Sequence, residues 1–301
     1  MHNKINKCKI CNAENHKIVY EGDVRNGKYP NTLKSRIYKC QSCQIESLDP
    51  INKLIPSDYN SDNYRNLLKQ SDPKAHEKEH KDSYNYTKKI ILSNDINLTG
   101  EIILDSGAAS GKILDLIGYN FKKKIAVEPS NSFKEILLKK GYEWFPSNTM
   151  AQNKYQGSVD LLISSKVIEH VDNPINYLKE IFFLLKPGGT SLITTPNRSD
   201  YLLRLVGDNY QKFFYRTQHL WYFDKNSLIH AANKAGIKNP IIKFDHFYGL
   251  KNLLNWIKLE KPSDSVNFDI FDEEIDKNLR MWLIEREISD TLVLLLKKPY
   301  N

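Results

Sequence analysis

From Gly100 onwards, short apolar runs alternate with segments whose apolar residues recur at helical spacing. The apolar runs "EIILD", "KKIAV", "SVDLLISS" and "TSLITTP" predict buried strands. The intervening segments "GKILDLIGY", "NSFKEILLKKG" and "NPINYLKEIFFLLKPGG" predict helices, and the last two stop at glycine. This alternation predicts a parallel sheet with helices on both of its faces.

The same patterns extend to both sides of this region. "SLIHAANKAGI" predicts a further helix, "IIKFDHF" a further strand and "TLVLLLKKP" a last strand. Before the sheet, residues 48–66 are rich in Pro, Asn, Asp and Ser and predict a linker, whereas residues 74–93 have a helical pattern. The Trp- and charge-rich stretch at about 248–289 predicts a helical insertion.

Composition describes an ordinary globular chain with a basic surface. Of the 301 residues, 40% are hydrophobic and 27% are charged, and the net charge is +8. The basic residues are 36 lysines and only eight arginines, dispersed along the chain, and arginine is the better bidentate phosphate ligand. We therefore favour a solvated lysine-rich surface and do not expect nucleic acid as a partner. With no signal-peptide pattern and no membrane-spanning apolar run, we expect a cytoplasmic protein.

Cysteine occurs only in two C-x-x-C pairs, Cys8 with Cys11 and Cys40 with Cys43. This spacing lets each pair direct two thiolates at one ion, and two pairs complete a closed tetrahedral shell. The segments "HKIVYEG" and "SRIYKC" between the pairs predict a β-hairpin. Two disulfides or a redox pair are the alternatives, and a cytoplasmic setting disfavours disulfides. We predict a structural zinc ribbon.

The stretch "EIILDSGAASGKIL" combines a strand, a glycine turn and a helix start. Gly107 and Gly111 flank the turn, where a backbone without Cβ lets a ligand approach closely. Glu128 ends the next strand, 21 residues after Gly107, a position where a carboxylate accepts hydrogen bonds from ribose hydroxyls. The pattern predicts an adenosine-containing ligand without specifying which one.

The segments "ILDSGAASG", "VEPS", "VDLLISSKVIEHVDNP", "LKEIFFLLKPGG" and "LITTPN", in this order and spacing, resemble class I S-adenosylmethionine-dependent methyltransferases. They are most similar to the small-molecule branch with the motifs D-x-G-x-G-x-G, E-H-V-x-x-P and L-K-P-G-G. The resemblance covers about residues 100–245. It implies an α/β, doubly wound Rossmann-like sheet of seven strands, with "TLVLLLKKP" as an antiparallel strand, and a glycine loop around the methionine part of S-adenosylmethionine.

The resemblance also implies a set of cofactor-binding residues: Asp105, Gly107, Ala109, Gly111, Glu128, Asn148, Met150 and Ser164. Ala109 replaces a glycine of the family motif, and its methyl group is tolerated if its φ is negative. The family often carries an acidic residue after the third strand for the adenine amino group, but this chain has "SNTMAQN" there. Asn148 is our candidate for that hydrogen bond, and Met150 is either an adenine contact or a core residue.

Three segments contain the candidates for catalysis. His170, in "IEHV", follows the fourth strand and is a candidate base or a capping and packing histidine. The segment "Q-H-L-x-x-F" resembles E-H-L-x-x-F of sugar C-methyltransferases that also begin with a cysteine-rich zinc module, which implies His219 as the base. Gln218 replaces the family's Glu. The segment "YNSDNYRN" resembles the tyrosine-bearing linker of the same sugar C-methyltransferases. Tyr64 or Tyr59 is therefore either an active-site residue or an exposed linker residue.

We therefore expect three segments: a zinc ribbon at 1–50, a linker and helical lid at 51–98, and an S-adenosylmethionine-binding methyltransferase domain at 99–301. The expected acceptor is a small molecule, a nucleotide-activated sugar or another surface-glycan precursor. The alternatives are an RNA methyltransferase that binds RNA through the ribbon and a non-catalytic S-adenosylmethionine-binding module. The sequence does not predict whether oxygen, nitrogen or carbon is methylated. It also does not predict the oligomeric state.

Overall fold

The structure, a computed structural model, describes residues 7–49, 71–262 and 272–300. These residues form two compact units. One unit contains the described parts of Met1–Lys53, Thr195–Leu228 and Ile242–Val293. The other contains the described parts of Leu54–Thr194, Ile229–Ile241 and Leu294–Asn301.

The predicted seven-stranded sheet is confirmed. Its strands are β4 (Gly100–Ser106), β5 (Phe121–Val127), β6 (Glu143–Phe145), β7 (Val159–Ser165), β8 (Leu185–Pro196), β10 (Ile241–Asp245) and β11 (Thr291–Lys297). Their order in the sheet is β10-β11-β8-β7-β4-β5-β6, and the pairs β4–β5, β4–β7, β5–β6 and β7–β8 are parallel. The predicted antiparallel strand is β11, because the N–H of Asn197 bonds the carbonyl of Asp290 while that of Gly188 bonds the carbonyl of Lys298.

Helices follow the strands where the periodicity predicted them. The helices from the start of the described region to the end of β8 are α1 (Pro73–Glu79), α2 (Lys81–Leu92), α3 (Lys112–Ile117), α4 (Lys134–Lys139), α5 (Asn148–Tyr155) and α6 (Pro174–Leu184). Later helices are α7 (Leu202–Leu205), α8 (Asp208–Phe214), α9 (Lys225–Lys234), α10 (Leu250–Leu259) and α11 (Glu273–Glu285). The last two fall in the predicted helical insertion.

The helical pattern predicted over 74–93 is confirmed as two helices, α1 and α2, which are interrupted at His80 with φ −102°. One local prediction needs correction. The segment "LKPGG" does not terminate a helix but begins β8, because Gly188 and Gly189 pair through their backbones with Lys298. Helix α6 ends one residue earlier, at Leu184.

The unit that includes the N-terminal residues has its own four-stranded sheet. The predicted hairpin is present as antiparallel strands β1 (His16–Arg25) and β2 (Thr32–Cys40). The sheet continues through β3 (Glu46–Leu48) to β9 (Trp221–Tyr222). Its apolar core, which includes Ile37, Tyr222 and Trp256, is almost fully buried.

Among the residues that the structure describes, no helix is both long enough and apolar enough to cross a membrane. The expected division into segments 1–50, 51–98 and 99–301 stays a prediction.

Candidate functional site

A cavity of about 530 Å³ lies at the carboxyl ends of β4, β5, β6 and β7. Its wall is formed by residues between His76 and Glu180, all in the unit that carries the parallel strands. The volume is within the range of small-molecule sites, and the carboxyl edge of a doubly wound sheet is where such sites form. Of the predicted site residues, it brings together Asp105, Gly107, Ala109, Glu128, Asn148 and His170.

The glycine turn at the end of β4 has the left-handed backbone that glycine favours. Gly107 has a φ of +88°, and a Cβ there would overlap Val167. Gly111 has a φ of +77°, and a Cβ there would lie 2.8 Å from Leu137 and Tyr142. Gly111 therefore keeps α3 close to its neighbours but does not itself line the cavity.

Ala109 does not meet the condition of a negative φ, because its φ is +45°. This left-handed conformation costs a residue with a Cβ roughly 1–2 kcal/mol. The conformation directs the backbone N–H of Ala109 at Oε2 of Glu128, at 2.8 Å. We attribute the strain to this hydrogen bond, which the loop makes with the end of the neighbouring strand.

Glu128 is the buried carboxylate of the cavity wall, with 1% of its surface exposed. Its Oε2 accepts from the N–H of Ala109, and its Oε1 accepts from the N–H of Ser130 at 3.1 Å. The indole of Trp144 donates to its carbonyl at 2.9 Å. These contacts fix the direction of the carboxylate before any ligand is bound.

Asp105 provides a second buried carboxyl, at the carboxyl end of β4. Burial, and then the charge of Glu128, raise the pKa of Asp105 to about 7. The carboxyl is therefore close to half-protonated near neutral pH. A cation in the cavity would favour its ionised form.

Helices α1 and α2 contribute a polar face to the cavity that the sequence patterns did not identify. The lining residues of this face are His76, His80, Ser83, Tyr84 and Thr87. Their separations of four, seven, eight and eleven residues from His76 place them on one side of a helix, which is the signal that was available in "HEKEHKDSYNYT". The hydroxyl of Tyr84 lies 3.2 Å from Nδ1 of His76.

Both ends of this helical pair are attached to the site. Glu77 pairs with Lys112, the first residue of α3, with an N–O distance of 2.7 Å. At the other end, the hydroxyl of Thr87 lies 3.1 Å from that of Ser165, which lies 3.1 Å from that of Thr194. The two contacts hold the polar face over the ends of β7 and β8.

The remaining predicted cofactor residues occupy three different positions. Asn148 is buried and lines the cavity at the start of α5. Ser164 is fully buried, and its hydroxyl lies 2.6 Å from that of Tyr177, which does line the cavity. Met150 is 51% exposed and is not a lining residue, so that the structure gives it neither an adenine contact nor a core position.

Of the three predicted catalytic residues, two belong to different units and the third is outside the described residues. His170 lines the cavity, and its Nε2 lies 4.0 Å from a carboxylate oxygen of the buried Glu169. His219 belongs to the other unit, where it is buried and its ring centre lies 5.9 Å from that of Tyr222. Tyr59 and Tyr64 lie outside the described residues.

The four cysteines form one cluster in which all sulfurs lie within 4.8 Å of one another. The pair Cys8–Cys43 has a sulfur–sulfur distance of 3.6 Å, and the pair Cys11–Cys40 one of 3.5 Å. These distances are far from a disulfide bond, which is about 2.05 Å. Four thiolates at about 2.3 Å from a tetrahedral ion are separated by about 3.8 Å, so the cluster fits a metal such as zinc.

The two cysteine turns have the same backbone pattern. In the first, the N–H of Asn12 bonds the carbonyl of Cys8, and in the second, the N–H of Gln44 bonds that of Cys40. Asn12 and Gln44 both have a φ of 64°. The hydrogen bond between Cys8 and Cys43 lowers the pKa of Cys8 and raises that of Cys43, so that one sulfur of this pair is a thiolate and the other carries the proton.

Comparison with known proteins adds family relationships to this geometry. Residues 75–239 match the family model described as "Methyltransferase domain". A ubiquinone biosynthesis O-methyltransferase of Acinetobacter baylyi is 26% identical over 181 residues, 55% of this chain and 73% of that protein. Its counterpart from Methylococcus capsulatus is 28% identical over 118 residues, 38% of this chain and 48% of that protein.

A crystal structure of a SAM-dependent methyltransferase from Archaeoglobus fulgidus has the same fold. It superposes with a TM-score of 0.51 and 17% identity, covering 74% of this chain and 98% of that one. The match with the second ubiquinone-biosynthesis relative spans about half of that protein's length.

Proposed function

Because the chain belongs to the methyltransferase domain family, we propose that its cavity binds S-adenosylmethionine for methyl transfer to a small polar molecule. The acceptor we propose is a nucleotide-activated sugar or another surface-glycan precursor. The observation that carries the cofactor assignment is the buried carboxylate of Glu128, which the glycine turn and Ser130 hold on the cavity wall. An oriented carboxylate beside a glycine turn suits the two hydroxyls of a ribose.

We assign three tasks to the residues of the cavity. Glu128 accepts hydrogen bonds from the ribose, and Gly107 lets the backbone approach the ligand without a Cβ. Asp105, in its ionised form, attracts the positive charge of the methionine part. S-adenosylmethionine supplies an electrophilic methyl group on a sulfonium, so that the protein mainly aligns the two reactants.

The polarity of the remaining wall supports the proposed acceptor. His80, Ser83, Thr87, Lys166 and Asn176 line the cavity and offer donors and acceptors to a hydroxylated molecule. A second candidate is a hydroxyl of a ubiquinone precursor, because the similar curated proteins are ubiquinone biosynthesis O-methyltransferases.

The proton of the acceptor requires a base if a hydroxyl or an acidic carbon is methylated. We retain His219 for this role from the resemblance to sugar C-methyltransferases, and His170 as the alternative on the cavity wall. The cysteine cluster is proposed to hold one structural zinc, because four cysteines leave no open coordination position for catalysis.

The acceptor is tested by incubating the purified protein with methyl-labelled S-adenosylmethionine and separate pools of nucleotide sugars, ubiquinone precursors and RNA. We expect label in a nucleotide sugar and none in RNA. Label only in a ubiquinone precursor would select the second candidate. Cofactor binding without label in any pool would support a non-catalytic module.

A further inference from the structure

A row of buried hydroxyls lies behind the cavity wall. The hydroxyl of Ser106 donates to Oδ1 of Asn148 at 2.9 Å and lies 3.0 Å from the hydroxyl of Tyr177. Tyr177 lies 2.6 Å from the hydroxyl of Ser164. Each hydroxyl has one hydrogen, and Ser106 uses its own for Asn148. Tyr177 must therefore donate to Ser106, and Ser164 must donate to Tyr177.

This chain of hydrogen bonds is consistent with the orientation of the Asn148 amide, whose oxygen accepts from Ser106. Burial raises the pKa of Tyr177, so its hydroxyl remains a donor. Ser106 donates to the carbonyl oxygen of Asn148, so that the NH₂ group is the end left for other contacts. Burial raises the pKa of Glu180, and the side chains of Thr149 and Asn148 lower it. Asn148 therefore acts as a donor on this wall, which makes it a poor partner for an amine.

Glu180 of α6 is the acceptor on the same wall. It lines the cavity, and the hydroxyl of Thr149 donates to its Oε1 at 3.1 Å. The hydroxyl of Thr149 is the donor in this contact, so it holds the carboxylate as an acceptor. A carboxylate has about four lone-pair positions, more than this contact uses.

The strand order places the partner of this carboxylate, Thr149, after the strand next to the one that Glu128 follows. Glu128 follows β5, whereas Asn148 and Thr149 follow β6, the next strand of the sheet. A nucleoside whose ribose lies at Glu128 can extend its base along the wall towards β6. The stretch 146–153 after β6 contains no carboxylate, and Glu180 brings one to that wall from a different helix.

We propose that Glu180 determines the nucleobase specificity of the cavity by accepting a hydrogen bond from the exocyclic amine of adenine. The proposal rests on the proposed binding of S-adenosylmethionine. A 6-oxo purine presents an oxygen at the same place, and its lone pairs would face those of the carboxylate. The site therefore distinguishes an amino from an oxo group, and Glu180, not Asn148, is the residue that does so.

The test is the ratio of two dissociation constants, those of S-adenosylhomocysteine and S-inosylhomocysteine, measured by calorimetry on the same protein sample. We expect the wild type to prefer the adenosyl ligand by about ten- to a hundredfold, the range for a hydrogen bond to a charged group. In Glu180→Gln, the hydroxyl of Thr149 should hold the new carbonyl oxygen, so that the NH₂ group faces the cavity. The preference should then reverse towards the inosyl ligand.

Two further variants complete the test. Glu180→Ala should bring the ratio close to one, which tests the proposal even if Glu180→Gln fails to fold. Glu135→Gln changes the charge equally at an exposed residue of α4 and should keep the wild-type ratio. A wild-type ratio in Glu180→Gln or Glu180→Ala would overturn the role of Glu180 alone. Failure of the wild type to bind either ligand would overturn the cofactor assignment as well.

Discussion

The backbone N–H of Ala109 donates a 2.8 Å hydrogen bond to the carboxylate of Glu128. The bond joins the loop after β4 to the end of β5, two neighbouring parallel strands. It coincides with a left-handed backbone at Ala109, where glycine would be free of strain. The loop and the carboxylate are thus already hydrogen-bonded to each other before a ligand binds.

Replacement of Ala109 by glycine should therefore stabilise the protein. Ala109→Gly removes the Cβ, which lies too close to the backbone carbonyl in the left-handed conformation. We therefore expect the free energy of unfolding to increase by about 1 kcal/mol. Ala108→Gly is the matched control, because Ala108 is buried beside it but is not among the residues with positive φ. The control should lose about 0.5–1 kcal/mol. Denaturant titration of both variants measures the difference, and a loss in both would contradict the strain at Ala109.

The pKa of Asp105 predicts how cofactor affinity depends on pH. Burial and Glu128 raise this pKa to about 7, and a bound cation favours the ionised carboxylate. Below pH 7 the ligand must displace a proton, so affinity for S-adenosylmethionine should fall by up to about tenfold per pH unit as the pH decreases. Above pH 7 this contribution should level off.

Calorimetry between pH 5.5 and 8 measures this dependence. Repeating each titration in buffers of different ionisation enthalpy detects the released proton directly. Asp105→Asn cannot release it and should show a flatter profile. An equal slope in the variant and the wild type would assign the titration to another group.

The cysteine cluster should contain one zinc ion per chain. Four sulfurs at these separations match a tetrahedral site, and metal binding to such a site contributes folding free energy. Elemental analysis of untagged protein checks the stoichiometry, and protein without any bound metal would contradict it. Cys40→Ser should lose the metal and lower the melting temperature. Affinity for S-adenosylhomocysteine should change little, since the cavity is lined by residues between His76 and Glu180.

The sequence predicted those parts of the fold and site that depend on local pattern. Strands β4 and β7 are continuous apolar runs because both faces are covered, and Glu128 followed from its spacing to Gly107. "LKPGG" was predicted as a helix stop because its pairing partner, Lys298, is remote in sequence. Likewise, Glu180 is an ordinary polar position in a helix until α6 packs against the start of α5.

His219 should affect turnover and not cofactor binding. If it is the base, His219→Ala should lower kcat by about 10²–10⁴-fold, with unchanged affinity for S-adenosylhomocysteine. His170→Ala is the comparison, because His170 lines the cavity described above. Steady-state kinetics with the acceptor found in the labelling experiment shows which of the two variants loses turnover. Wild-type turnover in His219→Ala with a loss in His170→Ala would transfer the role to His170, and activity in both variants would favour N-methylation.

The assignment of the cavity to S-adenosylmethionine is tested most directly by calorimetric titration of the wild type and Glu128→Ala with this cofactor. We predict one bound ligand per chain in the wild type. The variant should bind about ten- to a hundredfold more weakly, because it loses charge-assisted hydrogen bonds to the ribose. Glu101→Ala, which removes an exposed carboxylate paired with Lys122, should bind like the wild type. Equal affinity in the wild type and Glu128→Ala, or no binding to the wild type, would contradict the assignment.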